Sequence, residues 1–146
     1  MIRFYKDSDY ESVNNLLSFF NNDINLSINP FCKCLLYEEN GILGVIVFEE
    51  IYERIELDYI IVDNNCRRCG IASKLMEYLI NYAINNSISN ITLEVNENNL
   101  SAINLYKKYK FEVVSRRDKY YKDNDAILMI RKFDNNEWYI YIRNWN

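Results

Sequence analysis

The residues best suited to chemistry lie in one short turn and on one short strand. The turn is Cys66-Arg67-Arg68-Cys69-Gly70-Ile71-Ala72-Ser73, and the strand is Ile91-Thr92-Leu93-Glu94-Val95. The turn follows the apolar run Tyr59-Ile60-Ile61-Val62 and opens a helical pattern, so it stands where a strand stops and a helix begins. Backbone N–H groups in a first helical turn lack internal partners, and the helix dipole favours an anion beside them. Two arginines and a glycine let charge and backbone approach a phosphate closely. On the strand, Ile91, Leu93 and Val95 share one face, which turns Thr92 and Glu94 to the other. That carboxylate either faces water or, if helices cover both faces of the sheet, needs a partner or an acid–base task.

Much other chemistry is excluded. The chain has no histidine, which removes Ser-His-Asp and Cys-His catalysis and histidine metal sites together. Gly-x-Gly-x-x-Gly and the Walker pattern are both absent, so neither nucleotide fingerprint applies. The four cysteines stand as Cys32-Lys33-Cys34 and Cys66-Arg67-Arg68-Cys69, a spacing that could in principle hold zinc. Cys32 and Cys34 begin an apolar strand pattern, where cysteine acts as a small hydrophobe. The second pair sits in the anion turn, where a metal would compete with phosphate. We therefore expect no metal. Tyr106, in Ala102-Ile103-Asn104-Leu105-Tyr106, lies on a short amphipathic helix and by itself reads as core packing.

The elements that must position these groups can be traced in order. Ile2-Arg3-Phe4-Tyr5 reads as a first strand, and Ser8-Asp9-Tyr10-Glu11 as a capping box before Tyr10, Val13, Leu16, Leu17 and Phe20 at helical spacing. Residues 21–29 are polar and read as a loop or short helix, followed by the only proline, Pro30. Strands are expected at 35–37, 42–48 and 55–62, with Asn40-Gly41 as a hairpin turn and a second turn near 50–53. A helix carrying Ala72, Leu75, Met76, Leu79, Ile80, Ala83 and Ile84 on one face leads to the strand at 91–95. Such a crossover is right-handed and makes the two strands parallel. Residues 101–109 form a short helix. Two further strands are expected at 111–116 and 126–133, joined by the polar, aromatic segment 119–123. Residues 137–143 alternate like one more strand, either completing the sheet or making an oligomer contact.

At 146 residues the chain reads as one domain, 1–146, with 49% apolar and 26% charged residues. No run resembles a signal peptide or approaches the roughly 20 apolar residues that span a bilayer. We therefore expect a cytoplasmic protein without a membrane partner. A net charge of −4 argues against nucleic acid and suits a basic acceptor such as an amine.

At this point the sequence resembles a family. Arg67-Arg68-Cys69-Gly70-Ile71-Ala72 is similar to the Gln/Arg-x-x-Gly-x-Gly/Ala motif of the GNAT N-acetyltransferases, which bind acetyl-coenzyme A. Leu93-Glu94-Val95, Asn99, Ala102 to Tyr106, Phe111, Arg117, Tyr120-Tyr121, Asp125-Ala126 and Met129 follow in register. Within the family this pattern resembles the bacterial, RimI-like branch, which acetylates the N-terminal alanine of a ribosomal protein. The resemblance implies an α/β (α+β) fold with a mixed, mostly antiparallel twisted sheet of six to seven strands flanked by helices. It also implies a splayed parallel pair in the middle.

It implies roles as well. The backbone of Ile60, Ile61 and Val62 would pair with the pantetheine arm. Arg67, Arg68, Cys69, Gly70, Ile71, Ala72 and Ser73 would hold the pyrophosphate, and Asn99 would contact the coenzyme. Glu94 would be the general base and Tyr106 the general acid for the leaving thiolate, with Glu56 and Asp58 able to share the base role. An α-amine titrates near ~7.7–8.0 and suits a single carboxylate base; a lysine near ~10.4 would need about 3.4 units of deprotonation at pH 7. The acceptor would be a protein N-terminus. A small amine and a silent acyl-coenzyme A-binding module stand as alternatives, with a homodimer through the C-terminal strand as a further expectation. Two departures stand out. Lys110 replaces the glycine usual before Phe111, so that turn must take a positive φ without glycine or adopt another shape. Asn29-Pro30-Phe31 stands where the ribosomal-protein enzymes carry Pro-Trp-Ser, in the loop that would line the acceptor site.

Overall fold

Among the described residues the chain forms β1 (Ile2–Phe4), α1 (Tyr10–Ser18), β2 (Cys32–Glu38), β3 (Ile42–Ile51), β4 (Arg54–Val62) and α2 (Ile71–Asn85). There follow β5 (Asn90–Asn96), α3 (Leu100–Lys108), β6 (Glu112–Tyr121) and β7 (Asn124–Lys132). The computed structural model describes residues 1–20, 29–134 and 137. The strands make one mixed sheet in the order β1-β2-β3-β4-β5-β7-β6. β4 and β5 are parallel, as the crossover predicts. The expected α/β architecture and strand number are present. The expected loop at 21–28 and the tail strand lie outside the described residues, apart from Asn29 and Glu137. No helix among the described residues is long and apolar enough to cross a membrane.

The chain divides into two compact units. The first comprises Met1–Glu50 and Asp58–Ile80. Its core joins Val13, Leu16 and Leu17 of α1 to Cys34 and Leu36 of β2, Val45 and Val47 of β3, and Ile61 of β4. The Asn40-Gly41 hairpin is as expected, with φ of 54° and 120° and the strands in antiparallel register. The start of α1 differs from expectation. Asp7–Asp9 is a short 3-10 turn, so Ser8 does not cap the helix, and Tyr10 is exposed. The Asp9 carboxylate reaches back instead. It accepts the Lys6 N–H at 2.8 Å and the Arg3 guanidinium through both oxygens at 2.8 Å, while Arg3 also meets Glu38 at 2.6 Å.

The side-chain bond from Arg3 holds Asp9 at a pKa of about 2, below its ordinary value of 3.8. A carboxyl lowered on folding contributes stability above the unfolded value, and that contribution is lost as pH falls through the folded value. Asp9→Asn should therefore flatten the dependence of stability on pH between 4 and 2, checked by urea unfolding across that range. An unchanged slope would remove Asp9 from the acid response.

The second unit comprises Ile51–Leu57 and Asn81–Asn146. β4 contributes the ladder Arg54↔Asn90, Ile55↔Ile91 and Glu56↔Thr92. β5 then pairs antiparallel with β7 from Asn90↔Lys132 to Asn96↔Ala126. Along β5, burial alternates so that Ile91, Leu93 and Val95 are buried and Thr92, Glu94 and Asn96 half-buried. Both helix ends here close the same way. Ser87 takes φ of 56° after α2, with Ile88 N–H on Ala83 O at 2.9 Å. Lys110 takes φ of 69° after α3, with Phe111 N–H on Tyr106 O at 3.0 Å. Of the two shapes open to the turn at Lys110, the chain takes the positive φ, with a non-glycine residue in a Schellman cap. One expectation fails: residues 119–121 are not a connecting segment but the end of β6, and the hairpin turn comes at Lys122, with φ of 57°.

Candidate active site

The first unit carries the strand–turn–helix. Ile60 and Val62 are half-buried and Ile61 is buried at the end of β4, after which Asp63 donates its N–H to Leu43 O of β3 at 2.8 Å. The Asp63 carboxylate accepts the Asn65 N–H at 2.9 Å, and a short 3-10 turn spans Asn64–Cys66. Arg67 is extended, Arg68 takes φ of 65° and Gly70 φ of 79°, so the chain reverses twice before α2 starts at Ile71. A left-handed arginine is unusual, because its Cβ crowds the backbone there. The first intrahelical bond is Lys74 N–H to Gly70 O at 3.0 Å; the amides of Ile71 and Ala72 come before it. Arg67, Arg68, Cys69 and Gly70 are all exposed, and a Cβ at Gly70 would meet nothing within 4 Å. An open, doubly cationic turn running into a helix N-terminus fits a diphosphate well.

The helix is brought close by a missing side chain. A Cβ on Gly44 of β3 would lie 2.8 Å from Ile71 Cγ2 and 3.2 Å from Leu75 Cδ1. Arg67 lies 5.7 Å from the centroid of the Phe20 ring, and Lys74 5.6 Å from that of Tyr37. Cys32 and Cys34 behave as packing groups, while Cys69 is exposed. Burial pushes the Cys34 thiol up to about 12 and the Cys32 thiol up to about 11, and all four are free.

The second unit carries the ionisable groups. Glu94 projects from the polar face of β5, and its Oε1 lies 2.9 Å from Arg117 Nη2 of β6. The Arg117 guanidinium also covers the Tyr120 ring at 4.7 Å, and Tyr120 meets Tyr121 edge-on at 5.0 Å. The Tyr121 phenol is raised by burial and then by the charge of Glu94. Tyr106 is 7% exposed on α3, with its ring 5.7 Å from that of Phe111. Burial, and then Tyr121, push its phenol up to about 12. Asn99 caps α3: its Oδ1 accepts the Ala102 N–H and the Ser101 hydroxyl, each at 3.3 Å.

The structure thus brings Glu94, Tyr106 and Asn99 into one unit, and residues 60–62 and 67–73 into the other. Glu56 and Asp58 are exposed on β4. Phe31, of the segment expected to line an acceptor site, is exposed, and its N–H is bonded to Asn29 Oδ1 at 2.9 Å. The ion pair of Glu94 with Arg117 was beyond sequence reasoning, since 23 positions separate residues on strands that are not neighbours in the sheet.

A model of the Acetyltransferase (GNAT) family matches residues 2–111. An uncharacterized N-acetyltransferase of Methanocaldococcus jannaschii is 31% identical over 121 residues, covering 82% of this chain and 78% of its own. The probable N-acetyltransferase san of Drosophila melanogaster is 40% identical over 57 residues, 38% of this chain. That match spans only 31% of the fly protein. Among solved structures, the ribosomal-protein-S18-alanine N-acetyltransferase of Escherichia coli superposes with a TM-score of 0.82 at 19% identity, covering 93% of this chain and 97% of that one. That likeness is one of fold. The motif around Gly70, the sheet with its parallel β4 and β5, and the family match agree: this chain belongs to the GNAT family of acetyltransferases.

Proposed function

We propose that this chain is an acetyl-coenzyme A-dependent N-acetyltransferase whose acceptor is the N-terminal α-amine of a protein. The observation that carries the reading is Glu94, held half-buried on the polar face of β5 in a chain of this family. The backbone of Ile60, Ile61 and Val62 takes the pantetheine arm; Arg67, Arg68 and the amides of residues 69–73 take the pyrophosphate, with Asn99 on the coenzyme. The name of the Escherichia coli neighbour, a ribosomal-protein alanine acetyltransferase, supports a protein N-terminus as acceptor.

In this reading Glu94 removes a proton from the amine, directly or through water, as nitrogen attacks the thioester carbonyl. The tetrahedral adduct collapses, the C–S bond breaks, and the thiolate leaves with the Tyr106 phenol, the general acid of this reading, directed at the sulfur. With its phenol at about 12, Tyr106 stays protonated throughout the physiological range. Complete transfer to a thiolate near ~8.5 is uphill by about 3.5 units, or about 5 kcal/mol. Tyr106 therefore acts chiefly by hydrogen bonding to the sulfur as charge develops there.

The test is a panel of peptides and small amines with acetyl-coenzyme A, followed by release of free thiol. Turnover is expected with a peptide beginning in alanine. Turnover confined to small amines would move the acceptor and keep the family chemistry; none with any amine would favour a silent acyl-coenzyme A-binding module.

A further inference from the structure

We infer that Arg117 is a positioning residue, which acts by fixing the direction of the Glu94 carboxylate from β6. The inference rests on the acyl-transfer reading of Glu94 given above. Arg117 is the one charged residue that an ion pair places on Glu94 among the described residues, Nη2 to Oε1 at 2.9 Å. Its guanidinium is held from a second side by the Tyr120 ring at 4.7 Å. A planar group gripped by a ring and a carboxylate has little freedom to swing.

The strand itself is shaped for this. Between Arg117 and Tyr121 the register with β7 is irregular, and Lys119 takes φ of 49°. The Lys119 N–H is bonded to Asp125 Oδ1 at 3.0 Å. The neighbouring Arg116 takes a separate course, pairing with Glu97 at 2.9 Å and Asp125 at 3.2 Å. Successive side chains on a strand point to opposite faces, so one arginine braces the hairpin and the next reaches the carboxylate.

The pair is too exposed to matter much for stability, with side chains 58% and 25% accessible. Its effect is on orientation. An untethered glutamate samples several rotamers, and confining it to one is equivalent to about a tenfold gain in correctly aimed carboxylate.

The experiment is steady-state release of thiol from acetyl-coenzyme A with an Ala-starting peptide. Arg117→Gln should lower kcat about tenfold with KM for acetyl-coenzyme A unchanged, and Arg117→Lys should recover only part of the loss, since an ammonium keeps the charge but not the planar stack on Tyr120. In a Glu94→Gln background, Arg117→Gln should cost nothing further. Wild-type kcat in Arg117→Gln, an equal loss in Arg116→Gln, or a further tenfold loss in the Glu94→Gln background would each overturn the inference. Full turnover in Glu94→Gln would instead overturn the reading beneath it, so the two failures are told apart by which variant keeps its rate.

Discussion

Replacing Glu94 by glutamine should lower turnover by roughly 10²–10⁴-fold. Glutamine keeps the shape of the side chain and an oxygen for Arg117 to meet, yet it cannot take a proton. The Arg117 pair is half in solvent, so its loss of charge should leave thermal stability nearly unchanged. Binding of acetyl-coenzyme A, read by titration calorimetry, should also hold, since the turn proposed for the pyrophosphate, residues 67–73, is left unchanged. A drop in kcat with steady KM and steady melting temperature is the expected result. A rate within twofold of the parent would exclude Glu94 as the base and turn attention to Glu56 and Asp58.

The largest expected loss of stability comes from Arg131→Met. Arg131 is 6% exposed in β7, directly opposite Ile91 on the buried face. Its guanidinium donates to Tyr109 O at 3.0 Å, to Lys132 O at 2.7 Å, and to both oxygens of Glu137 at 2.8 and 2.7 Å. The Phe133 ring lies 4.6 Å away. Methionine fills most of the volume but orphans two carbonyls and a carboxylate, each needing water or a new donor. Removing one partner of a buried charged pair typically costs about 3–5 kcal/mol, and the partial exposure of Glu137 points to the lower end. A loss of about 3 kcal/mol corresponds to about 10 °C in a domain of this size, read by calorimetry. A fall under 2 °C would mean that the network contributes little.

Both variants show where sequence reasoning reached and where it stopped. Glu94 was legible because β5 obeys strict alternation, and a lone carboxylate among alternating apolar residues stands out. The turn at 66–73 was legible because apolar strand, basic turn and helical spacing follow one another locally. At Lys110 the missing glycine was legible, with a positive φ or another turn shape left open, and the chain takes the positive φ. The partners were not. Arg117 acts across strands, and Arg131 reaches back to the end of α3 and forward to Glu137 beyond its own strand, and no spacing pattern in the sequence says which group an arginine will meet. β6 was misjudged at its end because all ten of its residues are exposed, so no face pattern marks it. Its turn at Lys122 uses a left-handed lysine where glycine or asparagine would have announced it. The false capping box has the same origin: Asp9 was claimed by Arg3 of β1, a contact the local pattern around Ser8 does not contain.

Gly44 has an evolutionary consequence. Any side chain there would push against Ile71 and Leu75, the first turn of the helix that follows the arginines. The position has no reactive group and lies far along the chain from the turn, yet drift at it would displace the amides that the turn presents. Tolerance of the turn at 66–73 to mutation is therefore set partly on β3, by a residue whose contribution is to leave room. A survey of random variants selected for loss of coenzyme binding should return position 44 alongside the arginines, and the lesion would look like a binding defect although it began as a steric one.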